Sequence, residues 1–559
     1  MRGSWWFFVV LAAVAHGVST ERVSVSSTGH QGGGASFSPS VSADGRLVTF
    51  LSLASDLVPD DTNGIRDVFV RDRDTGVTAR VNVSSLGEEA NDESGEPAIS
   101  GDGRHAAFTS RASNLVPNDT NGTWDVFVHD RTTGVTERVS VSSAGAQGNG
   151  FSMGPSLSHD GRYVCFMSLA NDLVPDDTNG VKDIFVHDRL SGVTDRVSIS
   201  SQGAQANGQT TIGVISPDGR YVAMISYASN LVPGDTNGYS DAFLHDRLTG
   251  VTLRVGAGNG WTRDVDVSLA GLVVAFESDA SDLVPGDTNG RSDIFVWDAA
   301  SGQIERVSVS DWGTELTGPS AVPSVSADGR IVAFWSNAAD AVTGDTNGET
   351  DLFARDRLAG RTHRVSVSSA GDEGNGPSLG PSCSADGSVV AFQSTASNLV
   401  EGDTNGVSDV FARVPAGRAT ISGAVDFGLP TGSVGPSEVV FRLGYAGWSH
   451  PYSEATVLLG ENAVYSLQAP RGLLVVSAKP SHWLRRSIVV DTTDGDRSGV
   501  MFVLSNGDAV PDNRVDLLDL NAVLASFGGS GPSDLDESGQ VGLSDLNIVL
   551  LAFGQEGDP

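Results

Sequence analysis

Positive charge and long apolar runs are scarce in this sequence, and each shortage excludes a class of protein. Lys and Arg number 35 against 69 Asp and Glu, which gives a formal net charge of -34. Because a phosphate backbone binds to a face rich in Lys and Arg, we expect no nucleic-acid partner. After the N-terminus no stretch approaches the roughly 18 apolar residues of a membrane span, so we expect no membrane-spanning segment.

Cysteine is also scarce. Cys165 and Cys383 lie in strand-like runs of different repeats, which excludes a disulfide framework and favours two buried thiols. The hydrophobic content of 39% is enough for a sizeable core, so the 68 glycines indicate turns rather than disorder. The length of 559 residues predicts two or more domains.

The N-terminus has the pattern of a secretory signal peptide. Arg2 precedes the apolar run Trp5 to Ala15, and the small residues Ala13, Ala15 and Gly17 provide a cleavage site. The alternative is a buried N-terminal strand or helix. We assign residues 1–17 to the signal peptide, exclude them from the fold, and expect a secreted, extracellular or cell-surface protein.

An internal repeat dominates the next 400 residues. The string Asp-Thr-Asn-Gly occurs seven times, separated by 58, 58, 58, 52, 58 and 58 residues. The copies begin at Asp61, Asp119, Asp177, Asp235, Asp287, Asp345 and Asp403. A fixed period of this length is typical of a repeat architecture.

Each repeat predicts a four-stranded antiparallel meander. Alternating Val, Ile or Phe with polar residues is a strand pattern, and Asp-Gly or Thr-Gly between two such runs is typical of a hairpin turn. In the first repeat the order is an alternating run, the turn Asp44-Gly45-Arg46, Leu47 to Ser52, the Asp-Thr-Asn-Gly loop, Asp67 to Arg71, a Thr-Gly turn, and Arg80 to Ser85. One such sheet cannot bury both faces, so seven of them are expected to stack radially as a propeller.

The chain ends are expected to close the ring. The fourth-strand string Arg-Val-Ser-Val-Ser-Ser first occurs at Arg22 to Ser27, and the seventh repeat stops after Asp409 to Val414 without a fourth strand. An N-terminal strand in the last blade would remove an unpaired sheet edge. The predicted propeller spans residues 21–416.

The repeated motifs Ser-x-Asp-Gly-Arg-x-Val-Ala-Phe and Asp-x-Phe-Val-x-Asp-Arg resemble those of the TolB-like, WD40-like (PD40) propeller family. The resemblance covers most of the chain and implies the fold. It leaves the function open, because propellers of this kind serve as binding platforms, peptidase gates, lyases and hydrolases.

One face of the propeller is the better candidate for function. In a four-stranded blade, the loop between strands two and three lies on the same face as the link to the next blade, so the Asp-Thr-Asn-Gly loops and the Gly-rich links share a face. Trp124, Trp261 and Trp312 interrupt the repeat there. We predict that they line a shallow carbohydrate- or peptide-binding area by stacking. The alternative is that they fill gaps between blades.

The Asp-Thr-Asn-Gly loop itself has two interpretations. Asp61, Asn63 and Asp67 could approach the oxygen ligand number of calcium with carbonyls and water, although the spacing is not that of a 12-residue calcium loop. Alternatively, the side chains bond nearby backbone amides and Asn-Gly supplies a positive φ. We find no nucleophile elbow and no zinc-binding helix motif in the sequence, whereas paired carboxylates stay possible.

After Pro415 the repeat ends, and two further modules are predicted. Residues 418–505 alternate as a small antiparallel β-sandwich of about 85 residues, which resembles the prealbumin-like or carboxypeptidase-regulatory-like modules of secreted bacterial proteins. The expected strands are Ala419 to Phe427, Glu438 to Leu443, Ala463 to Leu467, Leu473 to Ala478 and Gly499 to Leu504. A spacer role is the default interpretation.

The last segment, residues 506–559, carries two 12-residue calcium-loop patterns offset by 26 residues, each followed by a helical run. The candidate ligands are Asp508, Asp512, the Arg514 carbonyl, Asp516 and Asp519 in the first loop, and Asp534, Asp536, Ser538, the Gln540 carbonyl and Asp545 in the second. The first loop has Val510 where a ligand belongs and Asn513 in place of Gly, so we expect it to bind Ca²⁺ more weakly. The alternative is two acidic helix caps.

Two loop-helix units in tandem resemble a type I dockerin, which docks secreted proteins onto cohesin-bearing scaffolds. In that family, loop positions 10 and 11 help to select the partner, which here implies Leu517, Leu518, Leu543 and Ser544. The Leu-Leu pair is more apolar than in cellulosomal members, so a different cohesin or an intramolecular contact with the sandwich is also possible.

The sequence therefore predicts a mainly β protein: a seven-bladed β-propeller, a small β-sandwich and a small α-helical dockerin-like C-terminal domain. The expected function is that of a secreted, scaffold-associated binding protein with Ca²⁺ as cofactor and a cohesin-type partner, and with a polysaccharide or peptide as a further ligand. The alternative is a secreted propeller enzyme, a glycoside hydrolase or lyase acting on polysaccharide. A pocket at the ring axis with convergent acids that are not repeated would favour the enzyme.

Overall fold

The computed structural model describes the repeat region almost completely and the C-terminal modules in part. It describes residues 19–271, 273–414, 419–426, 437–445, 453–459, 464–469, 473–480, 486–491, 497–504, 514–515, 517–527, 535, 541, 543–552 and 555. The predicted signal peptide, residues 1–17, lies outside these ranges.

Residues 19–414 form seven four-stranded antiparallel sheets, the blades of a β-propeller. The mainly β fold class is thus confirmed. Blade one consists of β2 (Ser36–Val41), β3 (Leu47–Ser52), β4 (Asp67–Asp72) and β5 (Val77–Arg80). Blade two consists of β6 (Ser94–Ile99), β7 (His105–Ser110), β8 (Asp125–Asp130) and β9 (Val135–Arg138). Blade three consists of β10 (Ser152–Leu157), β11 (Tyr163–Ser168), β12 (Asp183–Asp188) and β13 (Val193–Arg196).

The other four blades continue in chain order. Their strands are β14 (Thr210–Ile215), β15 (Tyr221–Ser226), β16 (Asp241–Asp246) and β17 (Val251–Val255) in blade four, β18 (Thr262–Val267), β19 (Val273–Ser278), β20 (Asp293–Asp298) and β21 (Ile304–Arg306) in blade five, β22 (Ser320–Val325), β23 (Ile331–Ser336), β24 (Asp351–Asp356) and β25 (Arg361–Arg364) in blade six, and β26 (Ser378–Cys383), β27 (Val390–Ser394), β28 (Asp409–Val414) and the N-terminal β1 (Ser19–Arg22) in blade seven.

The two middle strands of each blade hold its core. In blade one every side chain of β3 is buried, and Phe50 lies opposite Phe69 of β4 with ring centroids 5.8 Å apart. Equivalent pairs of phenylalanines occur in blades two, three, five, six and seven. Strands buried on both faces explain why the second and third strands contain runs of consecutive apolar residues.

The chain ends meet in blade seven, where β1 pairs with β28 and Arg22 lies opposite Phe411. The strand ends at Arg22, so the assignment of Arg22 to Ser27 to the fourth strand is wrong. In every blade except the fourth, whose outermost strand runs on to Val255, the Arg is the last strand residue. The Val that follows it begins the link. The link pairs with the next blade instead: Thr136 Oγ1 of β9 donates to the Val83 carbonyl.

The turn between the first two strands fixes neighbouring blades together. In blade one, Asp44 accepts hydrogen bonds from Ser42 Oγ and the Arg46 amide, and the Arg46 guanidinium binds Asp72 through two bonds. Gly45 has φ +72°, and a Cβ there would lie 2.5 Å from Val389 Cγ2 of blade seven. The Asp-Gly-Arg turn therefore requires glycine for both its backbone conformation and its packing.

Blades four and five differ from the others in their first strand. In the other five blades the fourth residue of this strand is Pro, and the residue before it has a positive φ, as at Ser38 and Glu96. Proline cannot donate to a sheet ladder and is found at bulges. Blade five has Asp264 and Val265 at these two positions, and its Asp-Gly-Arg turn is replaced by a 3₁₀ turn at Leu269–Gly271.

The sandwich has two sheets around one apolar core. Its strands are β29 (Ala419–Asp426), β30 (Ser437–Tyr445), β31 (Ser453–Leu459), β32 (Val464–Ala469), β33 (Leu473–Pro480), β34 (Arg486–Asp491) and β35 (Arg497–Val503). The sheet orders are β32-β29-β35 and β31-β30-β33-β34. The pairs are antiparallel except for β29 with β35, which is parallel.

The C-terminal segment contains two helices, α1 (Leu517–Ala525) and α2 (Leu543–Ala552). They pack on a small core that includes Val515, Val523 and Val549. Both helices begin inside the predicted 12-residue loops, because the last loop positions, Leu517 to Asp519 and Leu543 to Asp545, form the first helical turn. Among the described residues no helix is long and apolar enough to cross a membrane.

Candidate functional site

In all seven blades an arginine side chain forms an ion pair with the first Asp of the Asp-Thr-Asn-Gly loop. In blade one, Arg80 at the end of the outermost strand is paired with Asp61, Asp67 and Glu89 at 2.7 to 3.5 Å. Asn63 accepts from the Ile65 amide and donates to Asp67. The equivalent arginines are Arg138, Arg196, Arg254, Arg306, Arg364 and Arg22. These contacts support the structural interpretation of the loop.

One of these clusters also has the geometry of a metal site. Within the described part of the chain, Asp287, Asp293 and Glu315 are the group whose carboxylate oxygens lie within 4.8 Å of one another. Arg306 Nη1 lies 2.6 Å from Glu315 and 3.5 Å from each aspartate. Burial, followed by the charge of Asp293, raises the pKa of Asp287 to about 6. The guanidinium already supplies the positive charge that the three carboxylates require.

The three tryptophans lie in different places. Trp124 immediately precedes β8, and the Arg66 guanidinium lies 5.9 Å from its ring centroid. Trp312 is 62% exposed at the tip of the link beside the outermost strand of blade six, where the preceding Asp311 forms an ion pair with Arg361 at 2.7 Å. A Cβ on Gly95 would lie 3.9 Å from the Trp124 ring, so Trp124 lies beside the inner strand of blade two. The Asp311–Arg361 ion pair places Trp312 at the outer edge of the ring.

Trp261 belongs to a patch of three aromatic side chains at the junction of blades four and five. Its ring centroid lies 5.7 Å from that of Tyr227 and 5.0 Å from that of Tyr239, in tilted and edge-on geometry. Tyr227 is 50% and Trp261 37% exposed. Trp261 immediately precedes β18, the inner strand of blade five, so this aromatic patch lies on the loop face next to the ring axis.

A cavity of about 190 Å³ lies on the axis and is lined by the inner strands of all seven blades. Most of its lining is apolar or carries hydroxyl groups. Asp266 of blade five is the one carboxylate in the lining, where Ser40, Ser156, Ser324 and Ser382 hold the corresponding strand positions. Cys383 also lines the cavity, and burial raises the pKa of its thiol to about 12.

Blade five adds two further carboxylates beside Asp266. Asp264 lies directly opposite Glu277 in the β18–β19 pair. Glu277 is 7% exposed and accepts from Ser292 Oγ at 2.9 Å and from the Val322 amide at 3.3 Å. Other blades have Leu, Thr, Met, Ile, Trp or Gln at the position of Glu277. These three residues are here called the blade-five acids.

The blade-five acids differ in the hydrogen bonds that their carboxylates accept. Asp266 accepts from the Val325 amide of blade six and from the Val267 amide, both at 2.8 Å. Asp264 accepts from the Val265 amide of its own strand at 2.8 Å. Burial, with a contribution from Glu277, raises the pKa of Asp264 to about 7, and burial raises that of Asp266 to about 6. Like charges directly opposite each other repel, which adds to the effect of burial on the pKa of Asp264.

Sequence reasoning identified Trp261 but not its partners. Tyr227 and Tyr239 follow the second strand and precede the third strand of blade four, where other blades have mostly aliphatic or polar residues. Asp264 and Asp266 replace residues such as Gly or Ser in the inner strand. A position-by-position comparison of the repeats would identify both the two tyrosines and the two aspartates as departures. Only the fold shows that these residues lie near one another.

The calcium ligands proposed in the tail lie mostly outside the described residues. These are Asp508, Asp512, Asp516, Asp534, Asp536, Ser538 and Gln540. Arg514 is described and exposed, and Asp519 is fully buried in the first turn of α1. Asp545, Leu543 and Ser544 lie in the first turn of α2, and Leu517 and Leu518 in that of α1, with Leu518 exposed.

Comparison with known proteins gives likeness of fold only. No protein-family model matches the chain, and no curated protein matches it significantly. An oligogalacturonate lyase from Vibrio parahaemolyticus is 13% identical over 71% of this chain and 93% of its own, with a TM-score of 0.44. TolB from Acinetobacter baumannii is 17% identical over 53% and 58%, with a TM-score of 0.33.

A third similar structure covers a quarter of the chain. A type II cohesin–X–dockerin complex from Acetivibrio cellulolyticus is 20% identical over 25% of this chain and 97% of its own, with a TM-score of 0.21. All three TM-scores lie below 0.5, so the substrates and partners of these proteins carry no argument for this chain.

Proposed function

We propose that the propeller binds a glycan on its loop face, at the aromatic patch of Tyr227, Trp261 and Tyr239. The observation that carries this proposal is the exposure of the patch: Tyr227 and Trp261 remain 50% and 37% exposed although both contact other rings. Aromatic faces gain about 1 kcal/mol per stacked ring beyond the area they bury, without requiring charge. Sugar rings with apolar faces and hydroxyl edges suit such a surface.

The position of the patch supports binding of an extended chain. Three strand residues span about 10 Å, which is the distance along β18 from Trp261 to Asp264. A ligand that stacks on Trp261 and extends along β18 by this distance would reach Asp264. Carboxylate acceptors form charge-assisted bonds to hydroxyl donors, which are roughly twice as strong as neutral ones.

Affinity electrophoresis in gels that contain xylan, galactomannan or mixed-linkage β-glucan tests the proposal. Wild-type protein should be retarded by at least one of them, and Trp261→Ala should weaken the retardation at least tenfold. Trp312→Ala is the matched control, because Trp312 is more exposed and lies at the outer edge. Equal retardation of both variants would contradict the proposal.

We also propose that the tail is a calcium-dependent docking module for a cohesin-type protein or cell-surface scaffold, and that the protein is secreted. The tandem 12-residue loops each supply several oxygen donors, as Ca²⁺ requires. The paired helices and the buried Asp519 in the first turn of α1 fit this arrangement. When bound, the ion would neutralise the carboxylates that otherwise repel one another.

Calorimetric titration of the full chain with Ca²⁺ tests the docking module. Asp534→Ala with Asp545→Ala should remove the tighter binding event, whereas Asp508→Ala should affect only the weaker one. An unchanged isotherm for the double variant would rule out the second loop as a calcium site.

The second candidate function is catalysis on a polysaccharide. The observation that favours it is the pair Asp264 and Glu277, which face each other across two strands with a raised pKa on Asp264. Glycoside hydrolysis uses two carboxyl groups, one protonated and one ionised. Release of reducing ends by the wild type and its loss in Glu277→Gln would favour the enzyme over the binding module.

A further inference from the structure

The carboxylates next to the aromatic patch restrict the ligand chemistry of the proposed glycan site, on which this inference rests. Asp264, Asp266 and Glu277 all lie within blade five, and Glu277 and Asp264 are cross-strand partners. Glu96 of blade two adds an exposed carboxylate at the equivalent position to Asp264 in its inner strand, where it accepts from the Gly154 amide at 2.7 Å.

Two arginines on the loop face are already paired with acids. The Arg263 guanidinium, two residues from Trp261, forms an ion pair with Asp279 at 2.7 Å. Arg66, on the other side of the ring, is paired with Glu93 at 3.3 Å. A ligand carboxylate at the patch would therefore meet negative charge without a free guanidinium from these residues, in a chain with a net charge of -34.

The blade-five acids also differ in their capacity to bind a ligand. Glu277 and Asp266 each accept a backbone N–H from blade six, which occupies acceptor positions on both. The hydrogen bond described for Asp264 comes from its own strand. Asp264 thus keeps acceptor capacity for hydroxyl or ammonium donors, since a carboxylate offers about four lone-pair sites.

We propose that the loop-face site selects neutral or amino-sugar glycans and rejects uronic-acid glycans, and that Asp264 determines this selection. The residue acts as an acceptor for ligand hydroxyl or ammonium groups beside the ring that stacks on Trp261. Glu277 and Asp266 supply the surrounding negative charge. Selection then depends on both attraction of donors and repulsion of anions.

A matched pair of probes separates charge from sugar structure. Affinity electrophoresis compares polygalacturonate with its fully methyl-esterified form, which has the same backbone without the carboxylates, and adds chitosan, xylan, galactomannan and mixed-linkage β-glucan. We expect retardation by neutral polysaccharides or chitosan and none by polygalacturonate. Retardation by polygalacturonate that is lost in Trp261→Ala would overturn the inference. Retardation by no polysaccharide would contradict the proposed function itself.

A separate variant tests the role of Asp264. Asp264→Asn should weaken retardation by the best neutral or cationic polysaccharide at least tenfold, while Asp176→Asn, an exposed aspartate on the same face in blade three, should leave it unchanged. Near-ultraviolet circular dichroism checks that both variants keep the fold. Wild-type retardation of a folded Asp264→Asn variant would show that Asp264 does not select the ligand.

Discussion

Blades five and six are built from the same repeat, yet they differ where they face the ring axis. On the outside they are alike: Arg306 and Arg364 each bind two aspartates of their own blade and a glutamate of the link that follows it. On the inside, Pro323 and Ser324 of blade six correspond to Val265 and Asp266 of blade five. The difference shows that the repeated residues hold the ring together, while departures from the repeat concentrate at the axis and on the loop face.

Removal of a repeated contact should produce the largest effect on stability. The Arg364 side chain is 6% exposed and lies among Asp345, Asp351 and Glu373. Arg364→Ala leaves these carboxylates uncompensated, which should lower the free energy of unfolding by about 3–5 kcal/mol. Denaturant unfolding measures this loss, with the exposed Arg291→Ala as control. A loss below about 1 kcal/mol for Arg364→Ala would show that the repeated arginines do not stabilise the blades.

Substitution of Asp264 on the inside of blade five should instead raise the free energy of unfolding, by an amount that depends on pH. The pKa of Asp264 is about 7 in the folded protein and near 4 in an unfolded chain. The folded state therefore binds more protons between these values, and stability falls as pH rises through about 7. Asp264→Asn removes this ionisation, so the variant should exceed the wild type by about 2–4 kcal/mol at pH 8 and by little at pH 4.

Denaturant midpoints at the two pH values measure the effect. Asp176→Asn is the control, and its midpoint should change with pH by the same amount as that of the wild type. A constant difference between Asp264→Asn and the wild type at both pH values would exclude a proton held by Asp264.

The smallest effect is expected at the outer edge of the ring. Trp312 is 62% exposed and departs from the repeat without joining the aromatic patch. Trp312→Ala should change the free energy of unfolding by less than about 0.5 kcal/mol, as is usual for an exposed substitution, and should leave glycan retardation intact. Loss of glycan retardation in Trp312→Ala would contradict the placement of the binding site at the aromatic patch.

The outer repeat was more predictable from sequence than the axis. The second strand of blade one, Leu47–Ser52, has the predicted bounds because its apolar run and flanking turns are local signals. The fourth strand was placed too late, because the Val-Ser-Val-Ser-Ser run that looks like a strand pairs with the neighbouring blade. In the sandwich, β31 and β34 were missed because their apolar residues are consecutive rather than alternating.

The site was predictable only in part. Trp261 stood out as a single departure from the repeat, but its contacts with Tyr227 and Tyr239 join two blades that only the fold brings together. The pKa of Asp264 depends on burial and on Glu277 across the strand pair, neither of which the spacing of acids reveals. Acidic residues are too common in this chain for sequence alone to single out three of them.

The most direct test of the central claim restores the repeat at the aromatic patch. Tyr227→Leu, Tyr239→Val and Trp261→Ala give blade four and blade five the residues found at Leu53, Val181 and Ala35. Calorimetric affinity for the best-binding neutral glycan should then fall at least a hundredfold, with the free energy of unfolding within about 1 kcal/mol of the wild type. An affinity equal to that of the wild type would contradict the claim that departures from the repeat form the binding site.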